Sequence, residues 1–279
     1  MELRLRLRDF CRAQRRLLVL TGAGCSTASG IPAYRDHTGE WRHPQPMRFE
    51  EFSRSAAARR RYWARSAAGW TRIATARPNA AHHALARLEG LGRIQAIVTQ
   101  NVDGLHSKAG SRRVIDLHGR LDRVRCLDCG ARSTRAALQD RLRALNPRWR
   151  AAGHAGPDGD QQLTDRACDG FQVPDCEHCG GRLKPDVVFF GEAIPRPRLA
   201  AALRSLDRAD ALLVVGSSLM VFSGFRFVRD ARQRGLPVAA VTLGRTRADE
   251  LLDLKLSADC CDALAWLADE LDAAALAEA

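Results

Sequence analysis

Aromatic residues are scarce in this chain: 6% of the 279 positions, with only two tyrosines. A surface that grips single-stranded nucleic acid interleaves stacking rings with basic side chains. The scarcity therefore argues against nucleic acid as the partner. No apolar run approaches the roughly 18 residues that span a bilayer, so a membrane helix is excluded. There is no internal repeat and no low-complexity linker, which rules out an array architecture. No h-region of a secretory signal stands at the N-terminus. Residues 1–16 are arginine-rich and amphipathic, as in a transit peptide, but they lack serine and run straight into an apolar stretch. A helix packed on the domain is expected there, and the cytoplasm is the default compartment.

The composition that is present is ordinary for a globular protein, with 46% hydrophobic residues. The length suits one large domain, or one large and one small. The net charge of +12 is carried mainly by arginine. Such charge attracts nucleic acid or acidic surfaces. Here the arginines are spread along the chain, which favours a solvated surface.

The stretch from Leu17 to Asp36 organises the rest. Leu17-Leu18-Val19-Leu20 has the length and character of a buried strand. Gly22-Ala23-Gly24 then removes side chains where the backbone must approach something closely. Cys25 to Ser29 are small enough to start a helix. A strand, a glycine turn and a helix N-terminus together make an anion site. The third glycine comes late, at Gly30, so the G-x-G-x-x-G fingerprint is not met. Alone, the stretch equally describes a tight turn of any α/β domain. Pro32 ends the expected helix and leaves Tyr34-Arg35-Asp36 in a loop above the proposed site.

A second strand, Ile94 to Thr99, runs into Gln100-Asn101-Val102-Asp103-Gly104-Leu105-His106. Polar side chains gathered past a strand's end are where an open α/β sheet binds its ligand. A capped turn explains Asn101 or Asp103 singly, but the whole run less well. Val114 to Leu117 ends in His118-Gly119, which places an imidazole for general-base work. His82 and His83 fall in a helix that starts after Asn79, a plausible N-cap, and are read as packed or exposed.

Four of the nine cysteines form two C-x-x-C pairs, Cys126/Cys129 and Cys176/Cys179, each followed by glycine. Four sulfurs with no open position describe a structural, tetrahedral zinc site in a reducing compartment. A redox pair would sit at a helix start, and neither does. Cys11, Cys25, Cys168, Cys260 and Cys261 read as small buried thiols.

Further strands are expected at Lys184 to Glu192, Ala211 to Val215 and Pro237 to Leu243. Helices are expected at 49–70, 80–88, 135–145, 198–206, 225–234, 247–254 and 262–274. Strands alternating with helices predict an α/β fold, a doubly wound and mostly parallel Rossmann-like sheet. The cysteine-bearing module is inserted into it. The expected division is 1–119 and 183–279 for the large domain, with a helical insertion at about 37–78, and 120–182 for the small one.

These motifs, in this order, resemble the sirtuins, the Sir2 family of NAD-dependent protein deacylases: GAGCSTASGIPAYRD, TQNVDGLH, HG, the paired C-x-x-C, VVFFGE, GSSL and a late TLG. The resemblance covers nearly the whole chain. RYWARSAAGW and LHGRLDRVRCLDCG are similar to the class II branch, which implies long or lipoyl-type acyl chains. The resemblance implies NAD as cosubstrate, one structural zinc ion and acyl-lysine proteins as partners. It implies that Gly22, Ala23, Gly24, Ser26 and Arg35 contact the diphosphate and the adjoining ribose. Gln100, Asn101 and Asp103 would hold nicotinamide and its ribose. Gly216, Ser217, Ser218, Thr242, Leu243, Gly244 and Cys260 would surround the adenosine. Tyr34 and Val102 complete the cofactor set; Phe and Ile are usual there, and both replacements conserve size. Val187 to Gly191 would lay a strand against the substrate peptide.

The implied chemistry moves the acyl group from lysine to ADP-ribose and frees nicotinamide. His118 is the implied general base, with Asn101 and Asp103 beside it. Another use of the same site, transfer of ADP-ribose to a protein, stays open on sequence alone. So does a zinc-ribbon nucleic-acid binder, although it leaves TQNVDGLH and His118 unexplained. Tyr62 and Arg65 have the spacing with which another branch of the family grips acidic acyl groups. The reading preferred here packs Tyr62 and Trp63 and leaves Arg65 solvated.

Overall fold

A computed structural model describes residues 1–42, 44–150, 154–155 and 160–277. The chain opens with α1 (Glu2–Arg12), which turns Leu7 and Cys11 inward, and continues into β1 (Leu17–Thr21). Next come α2 (Phe49–Arg54), α3 (Ala56–Thr75), α4 (Ala80–Gly90), β2 (Ile94–Thr99), α5 (Leu105–Lys108) and β3 (Val114–Asp116). The middle of the chain holds β4 (Gly119–Cys126), β5 (Arg132–Thr134), α6 (Arg135–Leu145), β6 (His154–Ala155), β7 (Gln161–Gln162) and β8 (Leu183–Val187). It ends with α7 (Arg196–Asp207), β9 (Ala211–Val215), α8 (Phe222–Gln233), β10 (Val238–Val241), β11 (Leu254–Leu256) and α9 (Cys260–Ala277).

Six strands form one sheet in the order β11-β10-β9-β1-β2-β3, and each pairing is parallel. Successive side chains of a strand point to opposite faces. Leu17 and Val19 accordingly pack on one side with α1, α4 and α9, through Leu7, Leu85 and Leu264. Leu18 and Leu20 pack on the other with α7 and α8, through Leu206 and Phe227. Both faces are covered, so β1 and β9 read as unbroken apolar runs.

The topology fixes the site. From β1 the chain winds outward through β2 to β3, then returns to β9 on β1's other flank. A crevice opens outside the carboxyl ends of β1 and β9 at that reversal, where such sheets bind ligands.

A smaller antiparallel sheet, β5-β4-β8, carries the cysteine module. Val124 and Leu183 of this sheet, with Leu138 of α6, pack against the aromatic face of α2 and α3, Phe52, Tyr62 and Trp63. Trp63 Nε1 donates to the Leu183 carbonyl at 3.1 Å, joining the two layers.

Several elements differ from expectation. No α-helix follows Gly22. Two short 3₁₀ turns, Ala23–Cys25 and Thr27–Ser29, stand there, and Gly30 ends them with a left-handed backbone at φ 81°. The helix expected over 49–70 breaks at Ser55, whose hydroxyl caps α3 by accepting from Ala58 N. The strand expected over 184–192 ends at Val187. It pairs antiparallel with β4 in the small sheet, which spans both expected module boundaries. Gly119 makes that pairing possible, because a Cβ there would stand 2.0 Å from the Asp186 carbonyl oxygen. The helix expected over 247–254 is instead a 3₁₀ turn, Asp249–Leu251, followed by edge strand β11. Asp249 accepts from Thr246 and Lys255, and Leu254 and Leu256 alternate into the core.

Candidate active site

The crevice is a cavity of about 710 Å³. Its floor is the meeting of two glycine turns. Gly24 N donates to the Gly216 carbonyl at 2.8 Å, which clamps the turn after β1 to the turn after β9. A Cβ on Gly24 would lie 2.9 Å from that oxygen. A Cβ on Gly216 would lie 2.3 Å from Cys25 N, and Gly216 has a left-handed backbone besides. Leu219, just beyond, is the only non-glycine with positive φ among the described residues. Strained backbone of this kind gathers at functional sites.

The turn after β2 is tied to the same floor. Asn101 Nδ2 donates to the Gly22 carbonyl and to Ser26 Oγ, both at 3.0 Å. Ser26 Oγ in turn donates to Asp103 Oδ2 at 2.8 Å. Asp103 Oδ1 accepts from Leu105 N at 2.8 Å. Asp103 is buried, and burial raises its pKa above the usual carboxylate value, against the pull of these hydrogen bonds. Gln100 uses two oxygens: Oε1 accepts from Ser217 Oγ at 2.7 Å, and its carbonyl faces His118 Nδ1 at 3.0 Å. The Nδ1 proton therefore rests on that carbonyl, which leaves Nε2 as the basic lone pair. Burial pushes the His118 pKa down to about 4, so the ring is neutral at ordinary pH. Nε2 stands 2.8 Å from Ser223 Oγ, on α8.

Two further imidazoles back this floor. His82 completes the N-cap of α4 with Asn79 and reaches toward Ser26 at 3.5 Å. His106 holds Thr21 at 2.9 Å, and the His82 and His106 rings lie 4.8 Å apart. Burial lowers their pKa values to about 4 and about 3. With Cys25 they form a compact buried trio behind the cavity.

The cover of the cavity is the loop after β1. Arg35 donates to the Gly39 carbonyl at 2.7 Å and lies 3.9 Å over the Trp41 ring. Tyr34, Trp41 and Phe190 meet edge to face. Tyr62 and Arg65 line the opposite wall. Tyr62 packs on Phe52, Trp63 and Phe189. Arg65 is not solvated as expected: its Nη2 donates to the Leu163 carbonyl at 2.7 Å.

Of the residues singled out from sequence, those of the first glycine turn, Gln100 to Asp103, His118, Gly216 to Ser218, Thr242 and Leu243 all face this one cavity. So do Tyr34 and Arg35. Gly244 and Cys260 are not among its lining residues. Gly244 packs on His37, where a Cβ would meet the carbonyl at 2.2 Å. Cys260 is buried at the start of α9, its thiol 3.6 Å from the Val241 carbonyl. Ser223 went unread in the sequence. A lone serine gives no signal until folding shows what it touches.

Cys126, Cys129, Cys176 and Cys179 form a separate cluster on the small sheet. Cys126 and Cys179 sulfurs lie 3.6 Å apart, and those of Cys129 and Cys176 3.8 Å. Four thiolates about 2.3 Å from a tetrahedral zinc stand about 3.8 Å from one another, so the cluster fits one structural ion. Gly130 and Gly180, at φ 77° and 70°, close the two knuckles. Their N–H groups donate to the carbonyls of Cys126 and Cys176.

The Sir2 family model matches residues 22–223. The chain is 58% identical to "NAD-dependent protein deacetylase 2" of Bradyrhizobium diazoefficiens, over 94% of this chain and 96% of that one. It is 56% identical to "NAD-dependent protein deacetylase" of Bordetella bronchiseptica, over 93% and 95%. Among solved structures, a Sir2–p53 peptide–NAD+ complex superposes with a TM-score of 0.78 at 30% identity, covering 96% of this chain and 98% of that one. The chain belongs to the Sir2 family.

Proposed function

We propose that this protein is an NAD-dependent protein lysine deacylase, with acyl-lysine proteins as substrates. One observation carries the reading: the Ser26–Asn101–Asp103 network and a neutral, tautomer-fixed His118 face a single cavity at the sheet's reversal point. The high identity to named deacetylases supports it.

NAD supplies an electrophilic ribose carbon whose leaving group is nicotinamide. The glycine turns at Gly22–Gly24 and Gly216 leave room for the diphosphate, and Arg35 offers it a charge. Asn101, its amide oriented by Gly22 and Ser26, and Asp103 would hold the nicotinamide ribose. His118 Nε2, with its lone pair able to take a proton, would serve as the base toward a ribose hydroxyl. Val187 to Gly191 line the cavity and would lie against the substrate peptide. A weak neutral nucleophile such as an amide oxygen depends on placement, and a walled cavity provides it. The zinc ion would hold the small sheet's knuckles and take no part in the reaction. Thiols arranged for a metal suit a reducing compartment, which supports the cytoplasm as the place of action.

The test incubates the protein with NAD and a panel of acylated lysine peptides, read by mass spectrometry. Deacylated peptide, nicotinamide and acyl-ADP-ribose should form in equal amounts. ADP-ribosylated protein in place of acyl-ADP-ribose would defeat the proposal.

A further inference from the structure

Ser223 is the second residue of α8. A hydroxyl so near a helix start usually turns to the helix's own unpaired N–H groups. This one does not; it stands 2.8 Å from His118 Nε2. The direction of that bond is settled by the other side of the ring. Nδ1 carries the imidazole's proton and spends it on the Gln100 carbonyl. Nε2 therefore has one in-plane lone pair, and Ser223 Oγ–H points at it.

A neutral imidazole nitrogen accepts one strong hydrogen bond. Any substrate hydroxyl that is to lose its proton to Nε2 must either push Ser223 aside or pass the proton through it. The backbone at Ser223 is not free to withdraw. Its neighbour Gly224 is wedged on the Gln100 side chain, where even a Cβ would stand 2.5 Å from Nε2 of the amide. Gly224 N is also bonded to the Val221 carbonyl at 3.1 Å. Gln100 is thus the common support: its carbonyl holds His118, and its side chain backs the turn of α8 that carries Ser223. Ser223 and His118 both line the cavity, so the hydroxyl lies open to a ligand on one side and to the base on the other.

We propose that Ser223 relays the proton from a hydroxyl of the nicotinamide ribose to His118. The Ser223 Oγ–H bond breaks as the Nε2 lone pair takes its proton. The ribose O–H bond breaks as Oγ takes the replacement. Serine ends unchanged, the imidazole ends as imidazolium, and the ribose oxygen keeps the electron pair with which it attacks the acyl carbon. The step rests on His118 being the base.

Single-turnover rates with NAD and an acetyl-lysine peptide test it, so that product release does not mask the transfer. Ser223→Ala should slow acyl transfer roughly 10- to 100-fold, part of what a general base contributes. The KM for NAD should stay within about threefold, since a relay acts on the transfer rather than on binding. Ser223→Thr, which restores the hydroxyl, should recover most of the rate. Rates in mixtures of light and heavy water should show two protons in flight in the wild type. Wild-type rates linear in the deuterium fraction would overturn the relay, as would Ser223→Ala running at the wild-type rate. His118→Ala separates the two readings. If it is inactive while Ser223→Ala is not, the relay alone fails; if it is active, the base assignment fails first.

Discussion

The Nδ1 atom of His118 lies 3.0 Å from the carbonyl oxygen of Gln100, so a strand-end backbone group chooses the tautomer of a side chain eighteen positions later. The consequence for catalysis is direct. His118→Ala should reduce acyl transfer by about 100- to 10,000-fold while the protein stays folded and binds NAD. Circular dichroism and NAD titration check the second half. A rate within a few-fold of wild type would move the base elsewhere.

Burial holds His118 near pKa 4, so its deprotonated form prevails throughout the neutral range. The kcat/KM profile, which reports the free enzyme, should show no acid limb centred near 6.5. An inflection there that vanishes in His118→Ala would contradict the buried, neutral base.

The same burial makes stability depend on pH. His82 and His106 have folded pKa values of about 4 and about 3, below the usual 6.5. The unfolded chain therefore takes up protons that the folded one refuses. Stability is unaffected above pH 6.5 and is lost as pH falls from 6.5 toward 4. The slope is about 1.4 kcal/mol per pH unit for each histidine. Urea midpoints measured from pH 8 to pH 4 should be level at first and then drop. A level line down to pH 4.5 would show these rings charged in the folded state.

Removing one thiolate from the small sheet should cost both metal and stability. Cys126→Ser or Cys179→Ser is expected to lower zinc content and unfolding temperature together, since structural metal binding contributes folding free energy. Wild-type protein without zinc by elemental analysis would refute the assignment.

Arg65 sits on the cavity wall with its Nε buried and without a hydrogen-bond partner. A guanidinium so placed suits a carboxylate. Arg65→Ala should lower kcat/KM for a glutaryl-type peptide more than for a long neutral acyl peptide. An unchanged ratio would mean that Arg65 does not sense acyl charge.

Much of this was legible in advance because it is local. Apolar runs ending in glycine mark β1 and β9, and the two C-x-x-C pairs mark the metal knuckles. What was not legible depends on distant partners. Residues 184–192 read as one strand, yet only the part up to Val187 is strand, and it belongs to the small sheet, where Gly119 lets β4 take it as an antiparallel neighbour. Residues 247–254 have helical composition, but the Thr246–Asp249–Lys255 contacts tie them into a turn. Arg65 looked like surface until Leu163, far along the chain, accepted its hydrogen bond. Ser223 is the extreme case, since nothing near it in sequence hints at His118.

The contact between Gly24 and Gly216 has a consequence for how this chain can change. Each glycine leaves the space that the other's turn fills, so neither turn can gain a side chain while the other stays as it is. Two short motifs from opposite ends of the chain behave as one inherited unit. Single substitutions at either meet a wall of backbone, and only a joint rearrangement of both turns opens a route. Variation in cofactor use is therefore expected to enter through the side chains of Tyr34, Arg35 and Trp41, which can be exchanged one at a time: the two rings meet each other and Phe190, and Arg35 lies over Trp41.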